Sequence, residues 1–298
     1  MRRRTHRSIE SWIRRVAALV CVALAAACST LRLSYNNADT LLVLALDRYF
    51  DLDDAQRQLV RDSARALLAW HRADQLPAYV EFLERISQRV GQRAEVDDVL
   101  RFYEQANAWL LVLGERAAPS AARLALTLTP AQIARCEQQL ARDNAKAHRV
   151  LTADGRRDVL EGRVQRTVER VADWLGSVTK EQQQLIRRSV EQWSREHSWW
   201  MEEKERRQRE LLALLRRIQQ EQPPVEQAAR WLAAYVAHVA QPLEAQRQAQ
   251  LARARRANAE LVALMLNHAT PAQHAVLLKR LRSYADELAA LAAAGARG

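Results

Sequence analysis

The chain has 298 residues, 49% of them hydrophobic, and a formal net charge of +11 at pH 7. Its three cysteines are too few for a disulfide scaffold, and seven glycines and seven prolines exclude a collagen-like or Gly/Pro-rich chain. The length allows one large or two small domains.

The first 27 residues have the pattern of a secretion signal. Six arginines against one acid fill residues 1–15, and a twelve-residue apolar run, 16–27, ends at Ala27 before Cys28. Such a run is too short for a spanning helix, which needs about 20 residues. The ending resembles the bacterial lipobox, although Ala25 stands where leucine is usual. The resemblance implies cleavage between Ala27 and Cys28 and a covalent lipid on Cys28. An ordinary signal peptide cut near Ala27, or an uncleaved anchor, remains the alternative.

Localisation and partners follow from this leader. Ser29 after the cysteine, by the rule known for enterobacterial lipoproteins, implies the periplasmic face of the outer membrane. Without residues 1–27 the net charge is +6, because the leader carries six arginines and one glutamate. For an exported basic chain, nucleic acid is a poor partner. Acidic lipid headgroups, lipopolysaccharide phosphates and acidic polypeptides are better ones. The alternative is that these arginines only form the solvated faces of helices. Cys136 is then the only thiol left, and we expect it to be buried.

The remaining sequence predicts an all-α fold, an elongated multi-helix bundle. Apolar residues recur every three or four positions, as in Leu185, Ile186, Val190 and Trp193. We expect a lipidated tether over 28–36 and one long helix over 180–221, on the order of 60 Å. The charged stretch 202–210 should lie in solvent. We also expect residues 35–50 to lead from the tether into the fold, with apolar side chains docking on the body: Leu41, Leu42, Leu44, Leu46, Tyr49 and Phe50.

Four helix starts carry a capping box, in which the cap side chain and a glutamine three residues later bond each other's backbone N–H groups. The predicted pairs are Asp53 with Gln56, Thr129 with Gln132, Thr179 with Gln182, and Thr270 with Gln273. Helix breaks are predicted at Gly91, at Gly114 with Pro119, at Gly155, at Gly176, at Pro223 with Pro224, and at Pro242. A kink within one helix is the alternative at Pro242.

The sequence contains signs of an internal duplication. The segment that starts at Gln56 recurs at Gln182, the one at Val96 recurs at Val225, and the Thr-Pro-Ala-Gln of residue 129 recurs at 270. Offsets that grow steadily along the chain favour two related helical halves, 37–160 and 161–298, packed with pseudo-two-fold symmetry. Coincidence between capped helices of biased composition is the alternative.

Two family resemblances follow from these motifs. The segment Leu128-Thr129-Pro130-Ala131-Gln132 resembles the Leu-Thr-x-x-Gln motif of the Spy/CpxP family, which implies an all-α periplasmic chaperone. Tyr35-Asn36-Asn37-Ala38-Asp39, followed by Arg48-Tyr49-Phe50-Asp51-Leu52, resembles the opening of an uncharacterised proteobacterial lipoprotein family. The second resemblance implies an all-α lipoprotein and brings no known activity.

An aromatic and basic cluster is the candidate binding surface. Helical spacing places positions 193, 197 and 200 on one face. The indoles and cations together predict an adaptable patch for unfolded or lipidic clients, and a buried aromatic seam is the alternative. The surface consists of Trp193, Arg195, His197, Trp199, Trp200 and Lys204.

The sequence predicts no enzyme, no metal site and no cofactor apart from the lipid on Cys28. None of the mature chain's six histidines has a glutamate three residues before it, and no His-Glu-x-x-His or phosphate loop occurs. We expect a non-catalytic envelope lipoprotein, a Spy-like holdase or envelope-stress accessory for unfolded or acidic partners. The alternative is a structural or assembly factor that binds one specific envelope protein or lipopolysaccharide.

Overall fold

The computed structural model describes residues 31–152, 155–193 and 197–295, without the side chains of 150–158 and 194–198. The signal segment, the cleavage position and Cys28 lie outside the described residues. The predicted all-α class is confirmed, because these ranges contain eleven α-helices and no strand. The helices are α1 (Ala38–Phe50), α2 (Asp54–Trp70), α3 (Leu76–Arg89), α4 (Val96–Thr127), α5 (Pro130–Thr152), α6 (Gly155–Leu175), α7 (Lys180–Trp193), α8 (His197–Glu221), α9 (Val225–Ala240), α10 (Ala245–Asn267) and α11 (Pro271–Gly295).

A π-helical segment, His71–Gln75, joins α2 to α3 without a break. Residues 31–36 form a further helical stretch before α1. The range expected to be one helix, 180–221, is described as α7 and α8, with 194–196 outside the description. None of the described helices combines the length and the apolar character that crossing a bilayer requires.

All four predicted capping boxes carry both of their backbone hydrogen bonds. The boxes also meet in pairs, which the sequence did not predict. We call Asp53, Gln56, Thr129 and Gln132 the first junction, and Thr179, Gln182, Thr270 and Gln273 the second junction.

In the first junction the two glutamine side chains bond each other. The amide of Gln56 donates to Oε1 of Gln132 at 3.2 Å, and the amide of Gln132 donates back at 2.7 Å. Each amide also donates to a carbonyl just before the other cap, to Thr127 at 3.0 Å and to Asp51 at 3.1 Å. The starts of α2 and α5 are therefore fastened to each other.

The second junction repeats this pattern between α7 and α11. Gln182 and Gln273 exchange two amide hydrogen bonds of 2.9 Å. Gln182 also donates to the carbonyl of His268 at 2.9 Å, and Gln273 donates to that of Ser177 at 2.8 Å. The turn before this junction uses Gly176, whose φ of +81° disfavours other residues.

The helices follow one order twice. The series α1 to α5 corresponds to α6 to α11 when α9 and α10 together take the place of α4. The contacts between the halves follow the same correspondence. The packing of α3 on α11 has its counterpart in the packing of α8 on α5, while α4 and α9 pack on each other. This reciprocal packing of helices between the two halves agrees with the duplication hypothesis. The common origin of the halves stays a prediction.

The largest hydrophobic core draws on both halves of the sequence. It joins side chains of α1, α2, α4 and α5 to Leu212, Leu215 and Ile218 of α8 and to the alanines of α9. Two smaller clusters lie between α6, α7 and α10 and between α6, α11 and α3. The two halves therefore share their cores in space. Cys136 lies in the largest core, as expected, and its burial raises the pKa of its thiol to about 11.

The prediction of a break at Gly114 and Pro119 is wrong. α4 continues through both residues to Thr127. Gly114 lies so close to α9 that a Cβ there would come within 2.7 Å of a Val236 methyl. Pro119 removes one helical hydrogen bond, but α4 is held by packing of its alanine face, which includes the fully buried Ala122. At Pro242, by contrast, the chain does break between α9 and α10.

Two expectations about burial are also corrected. Leu41, Leu42 and Leu44 do not dock on the body but are exposed, because Val43 and Phe50 supply the buried face of α1. The charged stretch 202–210 is not wholly solvated either. Glu203 in it is buried, because three arginine side chains surround its carboxylate.

Candidate functional site

An open groove of about 1080 Å³ lies among helices of both halves. One wall is formed by α3 and α4 and another by α6, and α7, α8, α10 and α11 also contribute to the lining. We call it the arginine groove. Ligand sites of proteins commonly have volumes of about 300–1,000 Å³, so the space is sufficient for a sizeable ligand or a short chain segment.

The groove exposes large apolar side chains to solvent. Phe102, Trp174, Trp200 and Val262 each line it and each remain about two fifths exposed. They come from α4, α6, α8 and α10. Single exposed apolar residues are common on protein surfaces, whereas a concave group of them indicates a binding surface.

Arginine side chains surround this apolar surface, but their charges are balanced differently on the two walls. On the α3–α4 wall, Asp98 pairs with Arg89 at 2.6 Å and with Arg101. The hydrogen bond from Arg89 lowers the pKa of Asp98, so that its carboxylate stays ionised. Around Asp98, one carboxylate therefore offsets part of the positive charge of two arginines.

The α6 wall carries positive charge at Arg166 and Arg170 that no ion pair among the described residues neutralises. Arg163, Arg166 and Arg170 follow one another at spacings of three and four residues, which places them along one face of the helix. Burial, and then the charge of Arg166, lowers the pKa of Arg163. Within the described part of the chain, Arg166 and Arg170 make no ion pair, so their guanidinium groups are available to an anionic ligand.

A continuous run of aromatic rings leads from the N-terminal segment to the groove. The hydroxyl of Tyr35 forms a 2.8 Å hydrogen bond with Nδ1 of His71, and the His71 ring lies edge-on to Tyr79. The run continues through Trp109 and Phe82, with centroid distances of 4.3 and 5.1 Å, to Phe102 in the groove wall. Burial lowers the pKa of His71, so that the ring is neutral at pH 7. The Tyr35 segment is thus packed onto the π-helical turn.

The structure divides the sequence-predicted surface. Trp193 and Trp200 line the arginine groove, and Trp199 contacts Trp200 with ring centroids 4.6 Å apart. Trp193 also packs against the cluster that contains Ile186 and Val190, as the buried-seam alternative supposed. Lys204 is exposed outside the groove lining, and the side chains of Arg195 and His197 lie outside the described residues.

Most of the groove was missed from the sequence. The arginine series of α6 had a usable signal, because Arg163, Arg166 and Arg170 alternate with apolar residues at helical spacing. No local signal could bring Phe102 next to Trp200, because they are distant in sequence and meet only through tertiary packing. Among the described residues no group of three or more His, Cys, Asp or Glu side chains could hold a metal ion.

The fold and the groove together define an all-α protein with an open cleft that is both apolar and cationic. The chain belongs to the family of unknown function DUF6279, whose family model matches residues 48–227. The match begins after Cys28 and the Tyr35–Asp39 segment. No curated protein and no solved structure matches the chain.

Proposed function

We propose that this protein is a non-catalytic lipoprotein of the cell envelope that holds unfolded client polypeptides in the arginine groove. The clients are segments with both acidic and apolar side chains, and holding them needs no nucleotide. The observation that supports this most directly is the groove itself, whose lining combines exposed Phe102, Trp174 and Trp200 with Arg166 and Arg170, which make no ion pair among the described residues.

The groove chemistry suits a varied set of chain segments. Apolar contact is non-directional, so aromatic side chains accept many partners of similar size. A guanidinium presents several donors in one plane and can bond a carboxylate through two of them. An open cleft with both groups favours acidic and apolar segments without requiring one sequence.

The charged groups around the groove support binding in preference to acid–base catalysis. They are mainly guanidinium groups, which neither gain nor lose protons near neutral pH. Among the described lining residues the one histidine is His274, and its Nε2 lies 3.2 Å from the carbonyl oxygen of Leu266. A ring held against the backbone in this way is not directed at a substrate.

The anchoring part of the proposal rests on the leader. Acylation of Cys28 would hold the chain on the periplasmic face of the outer membrane. The described residues begin three positions after Cys28, so the helical body would lie close to that surface.

An aggregation assay tests the holdase function. Residues 29–298 are mixed with a chemically denatured model client during its refolding, without ATP, and light scattering is followed. We expect scattering to be suppressed at near-equimolar amounts. The double variants Phe102→Ser/Trp200→Ser and Arg166→Glu/Arg170→Glu should each require a several-fold larger amount of protein.

Two control variants change similar side chains elsewhere. Leu110→Ser removes an exposed leucine outside the groove, and Arg209→Glu reverses an exposed charge on α8. Both should suppress scattering as the unmodified chain does. Scattering that stays unchanged over a wide excess of protein would contradict the holdase proposal. The next test would be capture of one dedicated envelope protein, or of lipopolysaccharide, by the same groove.

A further inference from the structure

The outer face of the N-terminal segment carries leucines that no other part of the described chain covers. Leu33, Leu41 and Leu44 are 64%, 50% and 61% exposed. Leu41 and Leu44 are three residues apart on α1, and Leu33 lies in the helical stretch 31–36 that precedes α1. We call these three residues the leucine face.

The leucine face is not the result of a loosely attached helix. On the opposite side of α1, Val43 and Phe50 are buried in the largest core. Asp39, also buried, accepts from Arg65 at 2.9 Å, and Tyr35 bonds His71 at 2.8 Å. α1 is therefore fixed to the body, and the fold directs these leucines outward.

The chain before α1 limits how far this face can lie from the membrane. Leu33 is five residues after Cys28, so the two are separated by at most roughly 18 Å of fully extended chain. From Leu33 to Leu44 the helical rise adds about 16 Å. If Cys28 carries the lipid, the whole face lies within reach of the bilayer surface.

We propose that the leucine face lies in the interfacial layer of the bilayer that holds the Cys28 lipid, and that α1 is an interfacial membrane helix. The inference rests on the proposed anchoring at Cys28. It goes beyond that anchoring because it assigns a second, non-covalent membrane contact and fixes which side of the body faces the lipid.

The charges around the face suit an anionic surface. Arg32 lies exposed beside Leu33, whereas Arg48, one turn after Leu44, is exposed but pairs with Asp143 of α5 at 2.7 Å. Long basic side chains at the edge of an apolar face can extend to lipid phosphates. The two acidic side chains of α1, Asp39 and Asp47, are paired with Arg65 and Arg57 on the protein side. A bilayer with acidic headgroups therefore fits this face better than an acidic protein segment.

Site-specific fluorescence on the full chain tests the proposal. The protein is expressed with its leader, purified from membranes, labelled with an environment-sensitive fluorophore at Leu44→Cys, and reconstituted into vesicles of phosphatidylethanolamine and phosphatidylglycerol. Cys136 should react little, because it is buried and its pKa is about 11. The matched control is Leu243→Cys, a leucine 82% exposed between α9 and α10.

We expect the Leu44 label to be quenched by nitroxide-bearing phospholipid and protected from aqueous iodide, with blue-shifted emission. The Leu243 label should show the opposite behaviour. Adding Leu41→Ser to the Leu44→Cys chain should reduce the blue shift while circular dichroism stays unchanged, because Leu41 is exposed.

The possible results separate this proposal from the anchoring. A chain recovered outside the membrane fraction would overturn both. A membrane-bound chain whose Leu44 label is as accessible to iodide as the Leu243 label would overturn the interfacial position of α1 alone. Labelling of unmodified protein at Cys28 would contradict acylation, and the Leu44 label would still report the position of the face.

Discussion

The first and second junctions use the same hydrogen bonds in different surroundings. In the second junction Gln182 and Gln273 are both almost fully buried. In the first, Gln56 is buried as well, but its partner Gln132 is only half-buried. Water can reach one side of the first junction and neither glutamine of the second.

This difference determines what each junction contributes to stability. A hydrogen bond between neutral groups adds only about 1 kcal/mol net, because water bonds the same groups in the unfolded chain. Leaving a buried partner without any bond costs about 1–3 kcal/mol. The same motif should therefore be far more sensitive to substitution in the second junction than in the first.

The largest effect is expected for Gln182→Ala. This change removes the bonds to the Thr179 N–H, to the His268 carbonyl and to Gln273 at a site that water does not reach. The free energy of unfolding should fall by about 4 kcal/mol, against about 2 kcal/mol for Gln56→Ala. Denaturant unfolding followed by circular dichroism measures both. Equal losses would show that burial does not distinguish the junctions.

A charged site in the second half sharpens the comparison. Glu203 has no acidic counterpart in the first half, where the position 126 residues earlier is Pro77. Burial alone would raise the pKa of Glu203, but hydrogen bonds from Arg206, Arg207 and Arg247 outweigh it and lower the pKa to about 2. The carboxylate therefore stabilises the fold above its unfolded pKa of 4.5.

The change Glu203→Gln should lower the free energy of unfolding by about 3 kcal/mol at pH 7. The sign of the pH dependence follows from the depressed pKa, since the stabilisation is lost as the pH falls from 4.5 towards about 2. Thermal unfolding across that range should show the unmodified protein losing stability and the difference from the variant shrinking. Gln182→Ala, which changes no charge, should keep its full effect. A constant difference between Glu203→Gln and the unmodified chain would contradict this account.

A smaller effect is expected for the coupling within each glutamine pair. Gln182→Leu and Gln273→Leu each leave one amide without its partner, whereas the double variant removes both amides. The double variant should therefore cost about 2 kcal/mol less than the sum of the single variants. The same cycle at Gln56 and Gln132 should give less than about 1 kcal/mol, because water can replace the lost partner. Additive costs in the second junction would mean that the two glutamines act independently.

Local features of the molecule could be predicted from the sequence. The capping boxes depend on residues three positions apart, so each is legible within one turn. The pairing of the boxes was not predictable, because Gln182 and Gln273 meet only after the chain has folded. Gly114 failed as a predicted break for a similar reason, since the residue that requires it is Val236 on another helix.

The candidate site depends even more on tertiary structure. Helical spacing placed Trp193 and Trp200 on one face, and both do line the groove. The wall that contains Phe102 comes from the other half of the sequence. The prediction that Leu41 docks on the body was wrong, because the apolar character of a residue does not show what it will contact in the folded protein.

The exchange of helices between the halves has a consequence for the order of folding. The apolar side chains of α3, including Leu83 and Ile86, pack on Leu277 and Leu281 of α11, the last helix described. Contacts between residues so far apart in sequence form slowly, because a long loop must close before they contribute. A chain that enters the envelope from its N-terminus would keep α3 uncovered until its final segment had arrived. During that interval the protein would itself be an incompletely folded chain with exposed apolar surface.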